Sequence, residues 1–362
     1  MNPFSARYSP NLPKLLKELG GTIMFTTYQT GKVIMLSSDG ENISQLVRDF
    51  IRPMGVSFYN NMMALALGDN ITVFKNSSQL AKTYPKKQNV FDSLYYPIAT
   101  NITSYIDTHD ICFSKQGLIA VNTSYSCLVK VDGQHSFEPI WKPPFIKEFT
   151  RGDACHLNGA CVDEDMNIRY VTAFGETTNP GAWRDNKLIG GFLMDITTNK
   201  FIAKNLPMPH SPRVYKGELY LLLSATEELI RIDRDTGKRE TIVKVDGFLR
   251  GLSFKDNYAF IGVSKLRKSH TFGDLPIARK KLYAGVIIVD IEKREKVAEI
   301  FYDEVLEEIY DVHFIPEALK VNILNHKMTQ NNPAIITPNF ESWITQKENT
   351  NETKQQNKSK GE

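Results

Sequence analysis

The sequence predicts an all-β protein, a six-bladed β-propeller closed by its N-terminal strands, with a short N-terminal helix and a disordered C-terminal tail. A short phrase recurs six times at spacings of 40 to 60 residues, and each copy runs from a variable residue through a small or turn-forming one to an apolar one. Alternating apolar segments follow the first five copies, and almost no helical periodicity occurs beyond the first segment. The copies occupy residues 54–58, 109–113, 158–162, 210–214, 250–254 and 310–314.

The two ends of the chain are predicted to complete one blade. Residues 12–19 indicate a short helix, because Pro13 lies near its start and Gly20 and Gly21 end it. Three strands without an opening phrase follow, whereas the last phrase lacks strands after it. Pairing of these fragments closes the ring and leaves no sheet edge open. The three N-terminal strands are expected at residues 22–27, 32–37 and 43–50.

The chain is therefore divided into three parts. Residues 1–21 form an N-terminal helical lead, and residues 22–318 form the six-bladed propeller. Residues 319–362 form a C-terminal extension that we expect to be mostly disordered, because the strand pattern fades after Pro316. The polar composition of residues 347–362 is typical of disordered segments.

Long connections are expected at one end of the propeller, which we call the mouth. In a four-stranded antiparallel blade, the start of the first strand, the loop between the second and third strands and the connection to the next blade share one end. Loops on a rigid scaffold are where function concentrates. Four long segments are predicted to rise over the mouth, at residues 84–108, 145–155, 174–189 and 265–283.

Histidines at the phrase starts are the first candidate functional residues. His109 and His210 open their phrases, and His156 lies two residues before a third phrase. Three imidazoles from neighbouring blades are predicted to hold a divalent metal ion or to act in acid–base chemistry together with Asp153. In the alternative interpretation, each histidine bonds a nearby backbone carbonyl or aspartate and only orders the channel.

Polar and basic residues of the same end form the second candidate group. Arginine offers a planar fork for carboxylate, phosphate or sulfate, so several cations at one mouth favour an anionic or glycan-like ligand. An aromatic ring there can stack on a sugar. Alternatively, the cations pair with nearby carboxylates or lie in solvent, and the aromatic ring packs a loop onto the propeller. The candidate ligand-binding residues are Asn158, Trp183, Arg184, Lys187, Arg213, Arg250, Lys265 and Arg267.

Composition excludes several classes of protein. The 44 basic and 41 acidic residues leave a net charge of +3, which does not indicate nucleic-acid binding. No apolar stretch reaches the length of a membrane helix, and no signal-peptide core occurs near the start, so a cytoplasmic location is expected. The four cysteines form no C-x-x-C pair and are predicted to be reduced, buried thiols. Nucleotide-binding and serine-hydrolase motifs are absent from the sequence.

Several long stretches resemble an uncharacterised bacterial family of conserved hypothetical proteins, a domain of unknown function that is sometimes found beside tetratricopeptide repeats. The signatures are MPHSPR at residues 208–213, CHLNG at 155–159 and RGL at 250–252. The resemblance runs from about Leu15 to Pro316, and its signatures fall on the phrases and loops of the mouth. It implies no particular reaction.

Two functional hypotheses remain open from the sequence. In the first, the protein binds, and in one version transforms, a small anionic or glycan-like ligand at the axial mouth, with or without a histidine-bound metal. An enzyme of this kind would be a metal-dependent lyase, hydrolase or isomerase, because no redox-cofactor motif is visible. In the second, the propeller is a non-catalytic scaffold whose mouth loops bind a protein or peptide partner.

Overall fold

The computed structural model describes residues 4–266, 272–273 and 275–344, and it confirms the predicted six-bladed β-propeller. Six small antiparallel sheets follow one another around a ring. The first strands of successive blades contact each other, which places them innermost, around the axis. No helix within these residues is long and apolar enough to cross a membrane.

The N-terminal segment begins with a strand and a helix and continues with three strands of the closing blade. Gly20 ends the helix with a φ of 66°, a left-handed conformation that glycine adopts without a Cβ clash. Both the helix and the three-strand segment match the sequence prediction. These elements are β1 (Ala6–Tyr8), α1 (Leu12–Leu19), β2 (Gly21–Thr27), β3 (Lys32–Ser38) and β4 (Ile43–Asp49).

The next five blades each contain four antiparallel strands in chain order. Blade 1 contains β5 (Val56–Tyr59), β6 (Met62–Ala66), β7 (Asn70–Asn76) and β8 (Ser93–Ile102), with α2 (Ser78–Lys82) before β8. Blade 2 contains β9 (Thr108–Ser114), β10 (Gly117–Asn122), β11 (Cys127–Val131) and β12 (Glu138–Trp141). Blade 3 contains β13 (Leu157–Val162), β14 (Ile168–Ala173), β15 (Gly191–Asp195) and β16 (Lys200–Leu206). Blade 4 contains β17 (Pro209–Tyr215), β18 (Glu218–Leu223), β19 (Glu228–Ile232) and β20 (Arg239–Lys244). Blade 5 contains β21 (Phe248–Lys255), β22 (Tyr258–Ser264), β23 (Ala284–Asp290) and β24 (Glu295–Tyr302).

Blade 6 closes the ring as the sequence predicted. Its innermost strand, β25 (Val312–Pro316), comes from the end of the propeller and pairs antiparallel with β2. The strands β3 and β4 then complete the blade. Two outer edges are covered by additional strands, because β1 pairs with β24 of blade 5 and a strand from the tail pairs with β8 of blade 1.

The first part of the C-terminal extension is ordered, which corrects the expectation for residues 319–344. Its apolar residues Val321, Ile323 and Leu324 are buried. Beyond them, the Trp343 ring lies 5.6 Å from Tyr84 and its indole nitrogen donates to the Leu80 carbonyl. The elements are β26 (Val321–Ile323), α3 (His326–Asn331), β27 (Ala334–Ile336) and β28 (Glu341–Trp343). Residues 345–362 lie outside the described residues.

One of the four predicted mouth segments lies mostly elsewhere. Residues 84–108 contain β8, the fourth strand of blade 1, so residues 77–92 connect its third and fourth strands. Such a connection lies at the end of the propeller opposite the mouth. The apolar residues Leu94 and Tyr95 at the start of β8 are buried in the core and do not belong to a loop over the mouth. The other three segments occupy the predicted connections of blades 2, 3 and 5.

Candidate functional site

The mouth contains an axial cavity of about 330 Å³, at the end where the first strands begin. Its walls combine aromatic rings, imidazoles and charged side chains from several blades. Eight of the sequence-predicted residues line it, namely His109, Asp153, His156, Trp183, Arg184, His210, Arg250 and Lys265. Further lining residues include Tyr28, Met54, Asp107, Phe174, Phe248, Phe272, Glu308 and Tyr310.

His109 is held by a hydroxyl group and a backbone carbonyl. Its Nδ1 lies 3.0 Å from the carbonyl oxygen of Asp107 and 2.8 Å from the hydroxyl of Thr123. A carbonyl only accepts hydrogen bonds, and the Thr123 hydroxyl already donates to the carbonyl of Leu157 at 2.6 Å. Nδ1 must therefore carry the proton, and Nε2 carries the lone pair.

His210 repeats the same arrangement two blades further on. Its Nδ1 lies 3.1 Å from the Met208 carbonyl oxygen and 2.6 Å from the hydroxyl of Ser224. The Ser224 hydroxyl donates to the carbonyl of Leu249 at 2.6 Å. Both imidazoles thus have the same tautomer, and neither Nε2 has a hydrogen-bond partner within the part of the chain that the structure describes.

Burial keeps both imidazoles neutral. Loss of hydration lowers the pKa of His109 from 6.5 to about 4, and the positive charge of Arg250 also lowers it. Burial lowers the pKa of His210 well below its ordinary value, with Arg250 acting in the same direction. At neutral pH the cavity therefore contains two neutral imidazoles whose Nε2 atoms can accept hydrogen bonds.

The hydroxyl partners follow a spacing that the sequence analysis missed. Thr123 lies 14 residues after His109, and Ser224 lies 14 residues after His210. Two further pairs have this spacing. Thr172 lies 14 residues after Asn158 and donates to its side-chain oxygen, and Ser264 lies 14 residues after Arg250. The hydroxyls of Thr123, Ser224 and Ser264 each donate to the carbonyl just before the next blade's phrase. A search for Ser or Thr at a fixed distance from each phrase would have found them.

Asp153 and His156 form a second imidazole arrangement. The Asp153 carboxylate lies 2.9 Å from His156 Nδ1 and accepts a 2.9 Å hydrogen bond from the Trp183 indole nitrogen. Both Asp153 and His156 have left-handed backbone conformations, with φ of 50° and 51°, which non-glycine residues seldom adopt. The loop therefore holds a carboxylate–imidazole pair in one orientation at the cavity wall.

Trp183 does not offer a free face to a ligand. Its ring centroid lies 4.2 Å from that of His156 and 4.3 Å from the Arg184 guanidinium carbon, and the side chain is buried. Arg184 is in turn 3.9 Å from the Asp153 carboxylate. Trp183 thus contacts both groups and holds them in position.

The three histidines of the predicted metal site lie in a row that an aromatic ring interrupts. The rings of His109 and His156 are 4.8 Å apart, but Phe174 packs against both His156, at 4.6 Å, and His210, at 4.9 Å. Across residues 4–266, 272–273 and 275–344, no group of three His, Cys, Asp or Glu side chains is placed to hold a metal ion. The Phe174 ring contacts both His156 and His210 and separates these two predicted ligands.

Arg250 and Lys265 differ in how their charges are balanced. Arg250 pairs with Glu308 at 2.7 Å, and its guanidinium carbon lies 3.9 Å over the Tyr310 ring. Lys265 donates to the backbone carbonyl of Asp303 at 3.3 Å and makes no ion pair with a carboxylate among the described residues. Among the described lining residues, Lys265 is therefore a cation whose charge no carboxylate balances.

Four predicted ligand-binding residues lie away from the axial cavity or outside the described residues. Arg213 is half-buried and pairs with Asp110 at 3.0 Å and Asp311 at 3.6 Å. Asn158 is buried and, like Arg213, lines a separate small pocket near the axis. Lys187 is buried in its loop, where Nζ donates to the Arg184 carbonyl. Arg267 lies outside the described residues.

Comparisons with known proteins identify the family and the fold. A chain of the crystal structure of a nidogen/laminin complex has a TM-score of 0.54 at 12% identity, and the match covers 82% of this chain and 99% of that one. A protein of unknown function from Bacteroides caccae has a TM-score of 0.49 at 9% identity, with the same coverage of both chains. No curated protein matches in sequence. Residues 10–324 match the family described as domain of unknown function DUF4915, and the chain belongs to that family, which confirms the predicted resemblance to a domain of unknown function.

Proposed function

We propose that the axial cavity binds a small polar ligand that combines a hydroxylated ring with an anionic group, as in an acidic or phosphorylated sugar. The observation that carries this proposal is the pair of neutral imidazoles, His109 and His210, whose Nε2 atoms have no hydrogen-bond partner among the described residues. Hydroxyl groups donate hydrogen bonds to such nitrogens. The cavity volume of about 330 Å³ is at the lower end of the usual range for small-molecule sites.

The remaining walls support the same class of ligand. Phe174 and Phe248 contact the His210 ring and supply apolar surface for the C–H face of a sugar ring. Glu308 balances the charge of Arg250, so the centre of the cavity is suited to hydroxyl groups rather than to an anion. Lys265 in the cavity wall supplies the cation for an anionic group.

A ligand screen tests the proposal. Thermal-shift measurements should compare neutral sugars, sugar acids and sugar phosphates, with titration calorimetry on the compounds that stabilise the protein. We expect anionic sugars to stabilise it most, and Lys265→Gln to weaken their binding by about tenfold, the equivalent of one lost charge-assisted hydrogen bond. NMR of the incubated ligand shows whether it is also converted, with His156 and Asp153 as the acid–base pair.

The matched control is Lys255→Gln, because Lys255 ends β21 at the opposite end of the propeller and pairs with Asp256 at 3.3 Å. This variant should bind like the unchanged protein. Equal losses in both variants, or a flat response to every sugar class, would contradict the proposal.

A second candidate function is a protein-binding scaffold. Several apolar side chains on connections at the mouth end are solvent-exposed, among them Ile51, Ile102 and Ile189, which are 75%, 63% and 64% exposed. Exposed apolar side chains grouped at one end of a protein favour contact with a partner. A protein bound at the mouth while no sugar binds would support this function over the first.

A further inference from the structure

A second pocket of about 250 Å³ adjoins the axial cavity on the side of blades 1 and 2. It shares Tyr28, Met54 and Asp107 with the axial cavity, so the two spaces are adjacent. Its own walls carry two arginines, Arg52 and Arg151. We call this space the outer pocket.

The two arginines differ from the other arginines of this region in lacking acidic partners. Arg52 places its guanidinium carbon 5.7 Å from the Tyr28 ring, and Arg151 donates to the Tyr105 carbonyl at 3.2 Å. Neither forms an ion pair with a carboxylate of the described chain. By contrast, Arg184 approaches Asp153, and Arg250 pairs with Glu308.

A missing side chain in blade 1 makes room for Arg52. Fourteen residues after each phrase start, blades 2 to 5 carry Thr123, Thr172, Ser224 and Ser264, but blade 1 carries Gly68. A Cβ at Gly68 would lie 3.3 Å from Arg52 Cδ and 3.5 Å from its Cβ, so the arginine packs where the other blades have a hydroxyl-bearing side chain. Arg52 itself has a left-handed φ of 48°, a conformation that costs about 1 kcal/mol or more for such a residue.

We propose that the outer pocket binds an oxyanion, and that this oxyanion belongs to the same ligand whose ring occupies the axial cavity. Two guanidinium groups that have no carboxylate partner among the described residues supply the forked N–H donors that phosphate and carboxylate oxygens accept from. The Asp107 carboxylate lies where the pockets meet, and it directs an anion away from itself towards the arginines. The ligand class is therefore a hydroxylated ring with one anionic group towards Lys265 and an oxyanion towards the outer pocket, and this deepening rests on the proposed function.

Titration with inorganic phosphate, and in parallel with acetate, tests the outer pocket by itself. We expect saturable phosphate binding that Arg52→Gln and Arg151→Gln each weaken by at least fivefold, while Arg52→Lys keeps more of it than Arg52→Gln. Tighter binding of phosphate than of acetate identifies a phosphoryl group, and the reverse identifies a carboxylate. The matched control Arg239→Gln removes an arginine of β20 that has no acidic partner among the described residues and lies outside both pockets, so it should not alter binding.

The outcomes separate this inference from the proposed function. Absence of saturable binding of either anion, or equal binding by the arginine variants and the unchanged protein, would overturn the outer pocket. Lys265→Gln should leave phosphate binding intact, because Lys265 lines only the axial cavity. Retained phosphate binding without any sugar binding would contradict the axial proposal and leave the anion pocket standing.

Discussion

Replacement of Arg213 by methionine is expected to lower the free energy of unfolding by about 3 to 5 kcal/mol, the usual cost of breaking a buried ion pair from one side. Arg213 comes from blade 4, and its guanidinium lies between Asp110 of blade 2 and Asp311 of blade 6. The variant would leave two buried carboxylates without their shared cation. His313, at 3.1 Å from Asp311, is then the only basic side chain in ion-pair contact with either carboxylate among the described residues.

The same carboxylates also join neighbouring blades. Asp311 accepts a 2.9 Å hydrogen bond from the Val56 backbone nitrogen of blade 1, and Asp110 accepts one of 3.3 Å from Ala160 of blade 3. Glycine at the second phrase position permits this close approach, because a Cβ on Gly55 would lie 2.9 Å from the Asp110 Cα. Loss of Arg213 therefore weakens contacts among several blades at the axis.

The loss should depend on pH. Burial raises the pKa of Asp110, and Arg213 opposes that shift. Burial would also raise the pKa of Asp311, but His313 and Arg213 together lower it. Without the arginine both folded-state pKa values rise, so the unfolded carboxylates lose protons first and the penalty grows as the pH increases.

Urea unfolding of Arg213→Met at pH 4.5 and pH 7 measures both effects. Arg239→Met is the matched control, because Arg239 starts an outer strand and has no acidic partner within the described chain. A change below 1 kcal/mol at pH 7, or a penalty that falls with rising pH, would show that the axial network does not hold the blades together.

Acidification is the second change with a large expected effect. The pKa of His109 is 6.5 in the unfolded reference and about 4 in the folded protein. Between these values the unfolded chain binds a proton that the folded chain does not, so stability falls as the pH drops from about 6.5 to about 4. The difference corresponds to about 3 kcal/mol from His109 alone, and His210 adds to it in the same direction.

The free energy of unfolding, measured across this pH range, should therefore change less with pH in His109→Phe than in the unchanged protein. Phenylalanine keeps a ring at this position but cannot titrate. The matched control is His135→Gln. Hydrogen bonding to Asp132 raises the pKa of the exposed His135, so its stabilising contribution is present at low pH and is lost as the pH rises. An unchanged slope in His109→Phe would mean that this imidazole is not held neutral.

The recurring phrase was sufficient to predict the architecture and several residues that line the axial cavity. Its first residues open the innermost strands, and His109, His210 and Arg250 indeed line the axial cavity. The closing blade followed from the two incomplete ends of the chain. These features depend on local strand patterns and on the direction rule for antiparallel blades, both of which are visible in the sequence.

The partners of the site residues were not visible in the same way. Arg213 is neutralised by Asp110 and Asp311, which are 103 and 98 positions away, because the ring brings blades 2, 4 and 6 together at the axis. Phe174 separates His156 from His210 only because its loop turns back into the cavity. The ordered residues 319–344 escaped prediction because they bury single apolar side chains against blade 1 and show no periodic pattern.

The most direct test of the central claim is a nitrogen-15 NMR spectrum of the histidine side chains at pH 7, recorded with and without the best sugar ligand. His109→Phe and His210→Phe spectra assign the signals. We predict Nδ1-protonated, neutral rings for both residues, with Nε2 signals that shift when the ligand donates hydrogen bonds to them. Protonated Nε2 atoms at pH 7, or bound ligand without any shift at either ring, would contradict the account.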